Sequence, residues 1–349
     1  MRKIFYFALS LTLLCLTSQV VKAEGGAAVG SSTGGAYAKV GLTGGQFLKV
    51  PHGARGTGMA GCVSTITDDL SSVFWNPAGI AEIKSLSAEF DYTDWFAGFS
   101  HNYFAVGTPI GENFALSVHF TNFTSDKMEY TTLQDASGTN TFFKAKDMSL
   151  GLTFAGYLTD QFSFGATVRY LDNSISDMNA AGISFDLGTV YRTGVQGITL
   201  GVSLHGLTTD LTYSGRDLNT THSLYPSTWS SDVDVSLTPA SFNIPLTFRA
   251  GVSADIVKLD EHKLVGAVDF TTCSDTPEQF AIGAEYVWND LLAARIGYRV
   301  GHDTYGIAGG IGVKYLTGNF SGRIDYSIAP MGELGLVNRV SVYIDLGRP

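Results

Sequence analysis

Phe162-Ser163-Phe164-Gly165-Ala166-Thr167-Val168-Arg169-Tyr170-Leu171 is the stretch whose reading decides the fold. Side chains alternate across a strand. Phe162, Phe164, Ala166, Val168 and Tyr170 therefore share one face, and Ser163, Gly165, Thr167 and Arg169 share the other. The run 320–328 repeats the pattern, with Phe320, Ile324, Tyr326 and Ile328 opposite Ser321, Arg323, Asp325 and Ser327. From about Leu86 to the C-terminus, runs of about ten residues alternate in this way and end in turns. A soluble sandwich also alternates, but the rest of this chain holds too few helices or second layers to cover these aromatic faces. A sheet that is apolar outside and charged inside is a transmembrane β-barrel.

Fourteen such runs are expected, near 86–95, 99–108, 113–123, 146–157, 161–172, 181–191, 197–206, 244–255, 263–271, 279–287, 291–300, 305–315, 319–328 and 337–346. Alternate links are short, whereas 124–145 and 207–243 are long and polar. Short turns at one rim and longer loops at the other suit an outer-membrane barrel, with the short turns periplasmic. Only an even count keeps that phasing. The fold class is thus all-β: an antiparallel barrel of about fourteen strands, residues 86–346. Such a ring is wider than its own side chains can fill, and the Gly- and Ala-rich segment 24–85 is the candidate lumen plug.

Arg2 and Lys3, the apolar stretch Ile4–Leu16 and Val21-Lys22-Ala23 read as a secretory signal peptide over 1–23. Leu14 before Cys15 does not suit a lipoprotein signal. Without Arg2, Lys3 and Lys22 the formal charge moves from −10 to −13, which argues against a nucleic-acid partner. No later run of about 18 apolar residues suggests a membrane helix. The expected location is the bacterial outer membrane, with its lipid as the first partner. Cys62 and Cys273 lie far apart with no metal-ligand spacing and read as incidental thiols. His101, His119 and His205 fall in strands, but no HExxH or GxSxG motif accompanies them. No enzyme, metal or cofactor is expected.

The stretch Gly44–Ile83 reads GGQFLKVPHGARGTGMAGCVSTITDDLSSVFWNPAGIAEI. Its small residues permit close packing on a barrel wall. Asp68 and Asp69 are placed to cap a short helix, and Asn76-Pro77 is placed to end it. The Phe47-Leu48-Lys49-Val50, Gly53-Ala54-Arg55, Gly58-Met59-Ala60-Gly61, Asp68-Asp69 and Trp75-Asn76-Pro77-Ala78-Gly79 pieces, followed by Asp94-Trp95-Phe96, resemble the PorV/PorQ family within the wider FadL-like group. The resemblance covers about 44–110. It implies a fourteen-strand barrel with its N-terminal segment folded into the lumen. It also implies a non-enzymatic role in type IX secretion, with secreted proteins carrying C-terminal sorting domains, or the translocon, as partners. The alternative that the resemblance carries is a FadL-like channel for long-chain fatty acids or other hydrophobic small molecules.

Two sets of residues are candidates for function. The plug or hatch set is Arg55, Asp68, Asp69, Trp75, Asn76, Pro77, Ala78 and Gly79. Arg55 is expected to anchor on Glu89 or Asp91, and the Trp75–Ala78 turn is either a fold determinant or a movable hatch. The second set is the lumen-lining charges Glu285, Arg295, Arg299, Lys314, Arg323 and Asp325, which either pair with one another or select solutes. Loop 207–243, with Tyr213, Tyr225, Pro226, Trp229 and Pro239, is the surface expected to meet a protein partner, together with 124–145.

Overall fold

The computed structural model describes residues 41, 43–66, 68–223, 232–317 and 320–347. The segment assigned to the signal peptide lies outside them, as do Tyr225, Pro226 and Trp229. Fourteen long strands form one antiparallel ring: β1 Ser87–Asp94, β2 Phe99–Ile110, β3 Phe114–Ser125, β4 Ala145–Thr159, β5 Phe162–Ile175, β6 Met178–Arg192, β7 Thr199–Thr208, β8 Thr247–Lys258, β9 His262–Cys273, β10 Thr276–Trp288, β11 Leu292–Val300, β12 Ile307–Thr317, β13 Phe320–Pro330 and β14 Leu336–Asp345. Each strand pairs with its neighbours in sequence, and β1 pairs with β14 from Ser87↔Asp345 to Asp94↔Asn338. The ring has no open edge, so the backbone polar groups of the strands are satisfied within it. No helix among the described residues is long and apolar enough to cross a membrane; the strands do the crossing.

The alternation read from the sequence holds. Val168 and Tyr170 are close to half exposed on the outer surface, while Ser163, Thr167 and Arg169 are buried inside. Outward Phe90, Phe104, Val118, Leu152 and Ile296 continue the apolar band. Several strands run longer than their alternation suggests, mostly toward the long-loop rim. Turns explain the register elsewhere. Asn289 and Asp290 both take positive φ, 52° and 57°, and so make the tight β10–β11 reversal that twisted strands prefer. The two long loops are not structureless, as their composition suggests. Met128–Glu129 pairs with Phe142–Phe143, and Asn219–Ser223 pairs with Asp232–Ser236. Neither small pair joins the ring.

The core lies between wall and plug, not between two sheets. Leu70, Val73, Ile80 and Ile83 from the N-terminal segment pack on Tyr103, Ala105, Ala115 and Ala155 of the wall. Met59, Cys62, Phe74 and Trp75 pack on Ala267 and Ala281. The wall is lined with alanine where the plug brings bulk.

The lipid-facing assignment can be measured at Leu152, which sits mid-strand between Val118 and Val168. Leu152→Arg is expected to lose about 2–4 kcal/mol of folding free energy in a bilayer, with the heat-sensitive gel mobility of a folded barrel retained. Loss near zero in a reversible denaturant titration would place that face in water.

Candidate functional site

Residues 43–83 form the plug. It consists of a 3-10 turn at Gln46–Lys49, a single turn of helix α1 at Ala54–Gly58, a second at α2 Ser72–Trp75, and a 3-10 segment at Pro77–Glu82. Glycine makes the first turn possible. Gly53 precedes α1 at φ 75° and has the Ser71 side chain where a Cβ would stand, so only glycine fits without strain. Close approach also demands Gly58, whose Cβ would meet the backbone of Gly310 on β12 at 3.1 Å.

Arg55 projects from α1 into a chain of ion pairs. Its Nη2 and Nε donate to Glu285 on β10 at 2.7 and 2.8 Å. Arg295 on β11 donates to Glu285 at 2.6 Å and to Asp325 on β13 at 2.6 Å. Arg323 donates to Asp325 at 2.6 Å and returns to Asp69 of the plug at 2.5 Å. Asp68 also pairs with Arg55. The strand register sets this up, because Glu285 lies directly opposite Arg295 across β10–β11. Each buried charge thus has an opposite partner, which is the condition for tolerating it away from water. Two expectations are corrected here. Arg55 does not anchor on Glu89 or Asp91. Those acids instead accept backbone N–H groups of the plug, Ser71 at 2.7 Å and Gly53 at 2.9 Å. Asp68 and Asp69 do not cap α2, whose N-cap Ser71 makes no side-chain cap bond. Arginines within reach outbid the helix N–H groups for both carboxylates.

The Trp75-Asn76-Pro77-Ala78-Gly79 turn is wholly buried. Asn76 Oδ1 accepts from Ala78 N at 3.1 Å, and Nδ2 donates to the carbonyls of Ser64 and Thr189 at 2.9 and 3.0 Å. Pro77 lies against Gly165 and Gly188, where any side chain would collide. Trp75 and Phe74 sit under the Arg249 guanidinium, which donates to the Phe74 carbonyl at 2.9 Å. Ser203, His205 and Asp186 cluster nearby, with Ser203 Oγ 3.0 Å from His205 Nε2 and His205 Nδ1 3.5 Å from Asp186. They resemble a hydrolytic set. However, Ser203 Oγ donates to the Trp75 carbonyl at 2.9 Å, and so serves to hold the plug. Cys62 and Cys273 are both buried free thiols.

Two cavities flank α1. One, about 240 Å³, lies at the rim opposite the short turns, among the links that follow β1, β11 and β13, and Trp95, Phe96, Met331 and Val337 give it apolar walls. Thr57, Arg299 and Arg339 also line it. The other, about 200 Å³, lies toward the short turns and is charged, lined by Arg55, Asp68, Glu285, Arg295, Lys314 and Arg323. Lys314 is at its rim, 3.8 Å from Asp290. Thr57 faces one cavity and Arg55 the other, so a single helical turn divides them. The Trp75–Gly79 turn lines neither of these two cavities. Arg339, Tyr305, His302 and Met331 escaped the sequence reading. Arg339 was accessible in principle, since the alternation of Ser341 and Tyr343 extends back to it.

No protein-family model and no curated protein matches the chain. Solved structures do. The toluene transporter TodX of Pseudomonas putida aligns at TM-score 0.58 and 11% identity, over 84% of this chain and 96% of that one. The toluene transporter TbuX of Ralstonia pickettii aligns at 0.55 and 15%, over 84% and 97%. The monoaromatic hydrocarbon channel CymD aligns at 0.55 and 14%, over 87% and 97%. These likenesses lend nothing to the type IX secretion reading or to the PorV/PorQ branch.

Two outcomes test the site. Arg55→Met strands part of the ion chain and is expected to cost about 3–5 kcal/mol; the plug should become protease-sensitive while the barrel keeps its heat-sensitive mobility. At the upper rim, Asp275 accepts from Thr43, Gln46 and Lys49 at 2.6, 2.8 and 2.9 Å. Burial alone would raise its pKa, but these donors outweigh it and hold it below the usual carboxylate value. A depressed carboxylate contributes its stability above the unfolded pKa of about 3.9 and loses it as pH falls further. Pepsin cleavage near Phe47 should therefore rise below about pH 4, and Asp275→Asn should show that sensitivity already above it. This chain is a plugged fourteen-strand barrel, similar in fold to the structures of TodX, TbuX and CymD.

Proposed function

We propose that this protein is an outer-membrane channel for small hydrophobic molecules. The observation that carries the proposal is the pair of cavities on either side of α1. The apolar chamber receives a solute among the outer loops, and displacement of one helical turn joins it to the charged vestibule on the periplasmic side. The fold shared with transporters of toluene and other monoaromatic compounds supports this reading. A chamber of about 240 Å³ favours compact molecules over extended acyl chains, since a 150 Å³ cavity already holds benzene.

Passage then requires the plug to move, and a cross-link should stop it. Cys62 follows α1, and its sulfur lies 3.5 Å from the Ala281 carbonyl on β10. Ala281→Cys gives Cys62 a partner. Oxidation of that variant is expected to abolish uptake of toluene into protein-loaded vesicles, and reduction to restore it. Undiminished uptake in the oxidised protein would mean that solutes do not pass by way of the plug.

A further inference from the structure

Three buried or half-buried arginines that reach the lumen have no carboxylate within ion-pair distance among the described residues; Arg249 is taken up by the Phe74 carbonyl and the Phe74 and Trp75 rings, away from the apolar chamber, which leaves two. Arg55, Arg169, Arg295 and Arg323 each pair with a carboxylate. Arg299 and Arg339 line the apolar chamber, and among the described residues neither lies within ion-pair distance of a carboxylate. Arg299 spends its guanidinium on neutral oxygens, donating to the Ala60 carbonyl at 3.0 and 2.7 Å and to Gln279 at 3.2 Å. Arg339 is 1% exposed. It donates to Thr93 at 2.7 Å and to the Thr57 hydroxyl, and its Nη2 has no hydrogen-bond partner.

The two arginines meet around one ring. Arg299 stacks over Tyr305 at 5.0 Å, and Tyr305 Oη donates to the carbonyl of Thr57 at 2.9 Å, the residue whose hydroxyl receives Arg339. The other basic groups of the chamber do not alter the balance. Lys49 is neutralised by Asp275 at 2.9 Å. His302 uses Nδ1 to accept the backbone N–H groups of Thr304 and Tyr305, and burial, with Arg299 close by, holds its imidazole below its ordinary pKa.

A cation buried without a counter-charge is costly, and a carboxylate offered to a guanidinium forms short paired hydrogen bonds. The rest of the chamber is apolar and partly aromatic, through Trp95, Phe96, Met331 and Val337. We propose that the chamber binds an aromatic monocarboxylate of one or two rings, its carboxylate on Arg339 and Arg299 and its ring against Trp95 and Phe96. This deepens the channel reading by naming the solute class that the outer chamber takes.

The full chain in detergent micelles is titrated calorimetrically with benzoate and with toluene, its neutral counterpart in shape. Benzoate is expected to bind about tenfold or more tightly than toluene, since a charge-assisted contact is worth at least a decade in affinity. Arg339→Gln should bring benzoate affinity down to within a few-fold of that for toluene measured on the same variant. Leu334→Glu covers the case in which Arg339→Gln fails to fold. Leu334 is an exposed side chain at the chamber's edge, and a carboxylate there should weaken benzoate several-fold at low salt. Toluene binding as tightly as benzoate, or benzoate affinity indifferent to both substitutions, overturns the proposal. A vesicle-entry assay separates it from the channel reading. Benzoate that binds but never enters upholds the site and removes the channel, while toluene entry without benzoate binding does the reverse.

Discussion

A closed ring of fourteen strands encloses more space than its inward side chains can occupy, and that excess determines everything inside it. The lumen must be filled by chain from elsewhere, and that chain has to be held by a wall which also tolerates lipid on its other side. Hydrophobic packing alone does not fix position, since it is non-directional. The ion chain from Arg55 through Glu285, Arg295, Asp325 and Arg323 to Asp69 supplies direction. It leaves the plug, crosses three wall strands and returns to the plug, so displacing α1 exposes charges on both sides at once.

The wall answers the plug residue by residue in size as well as charge. Glycine stands where the plug backbone touches it, at Gly165 and Gly188 against Asn76-Pro77 and at Gly297 against Met59. Alanine stands where plug side chains are large, as Ala267 and Ala281 do around Phe74 and Trp75. The two halves of the plug are therefore held differently. The Trp75–Gly79 turn is wedged among glycines and hydrogen-bonded on several sides, while α1 has a cavity on either side. The more mobile candidate is α1, and the Trp75–Gly79 turn acts as its footing.

The barrel was legible because lipid imposes a period of two on every strand, and fourteen runs such as 162–171 repeat it without help from distant residues. The inward identity of Glu285, Arg295, Arg323 and Asp325 followed from the same period. Their pairing did not. Whether Arg55 meets Glu89 or Glu285 depends on where a non-periodic segment docks, and no local pattern records that. The outer chamber was hidden for a similar reason: Thr57, Arg299, Tyr305 and Arg339 come from four separate elements. The alternation also understated strand lengths near the long-loop rim, where strands rise beyond the lipid and the outward face no longer needs to be apolar.

One of the places where the plug's backbone grips the ring is the seam that closes it. Gly53 N donates to Asp91 on β1, the next amide along, Ala54 N, donates to Ser341 on β14 at 2.7 Å, and Arg339 of β14 reaches both Thr93 of β1 and Thr57 of α1. These are the first and last strands, whose pairing shuts the ring. The residues that cork the cylinder thus also tie its seam, so the plug acts as a clasp across the pair of strands that shuts the ring.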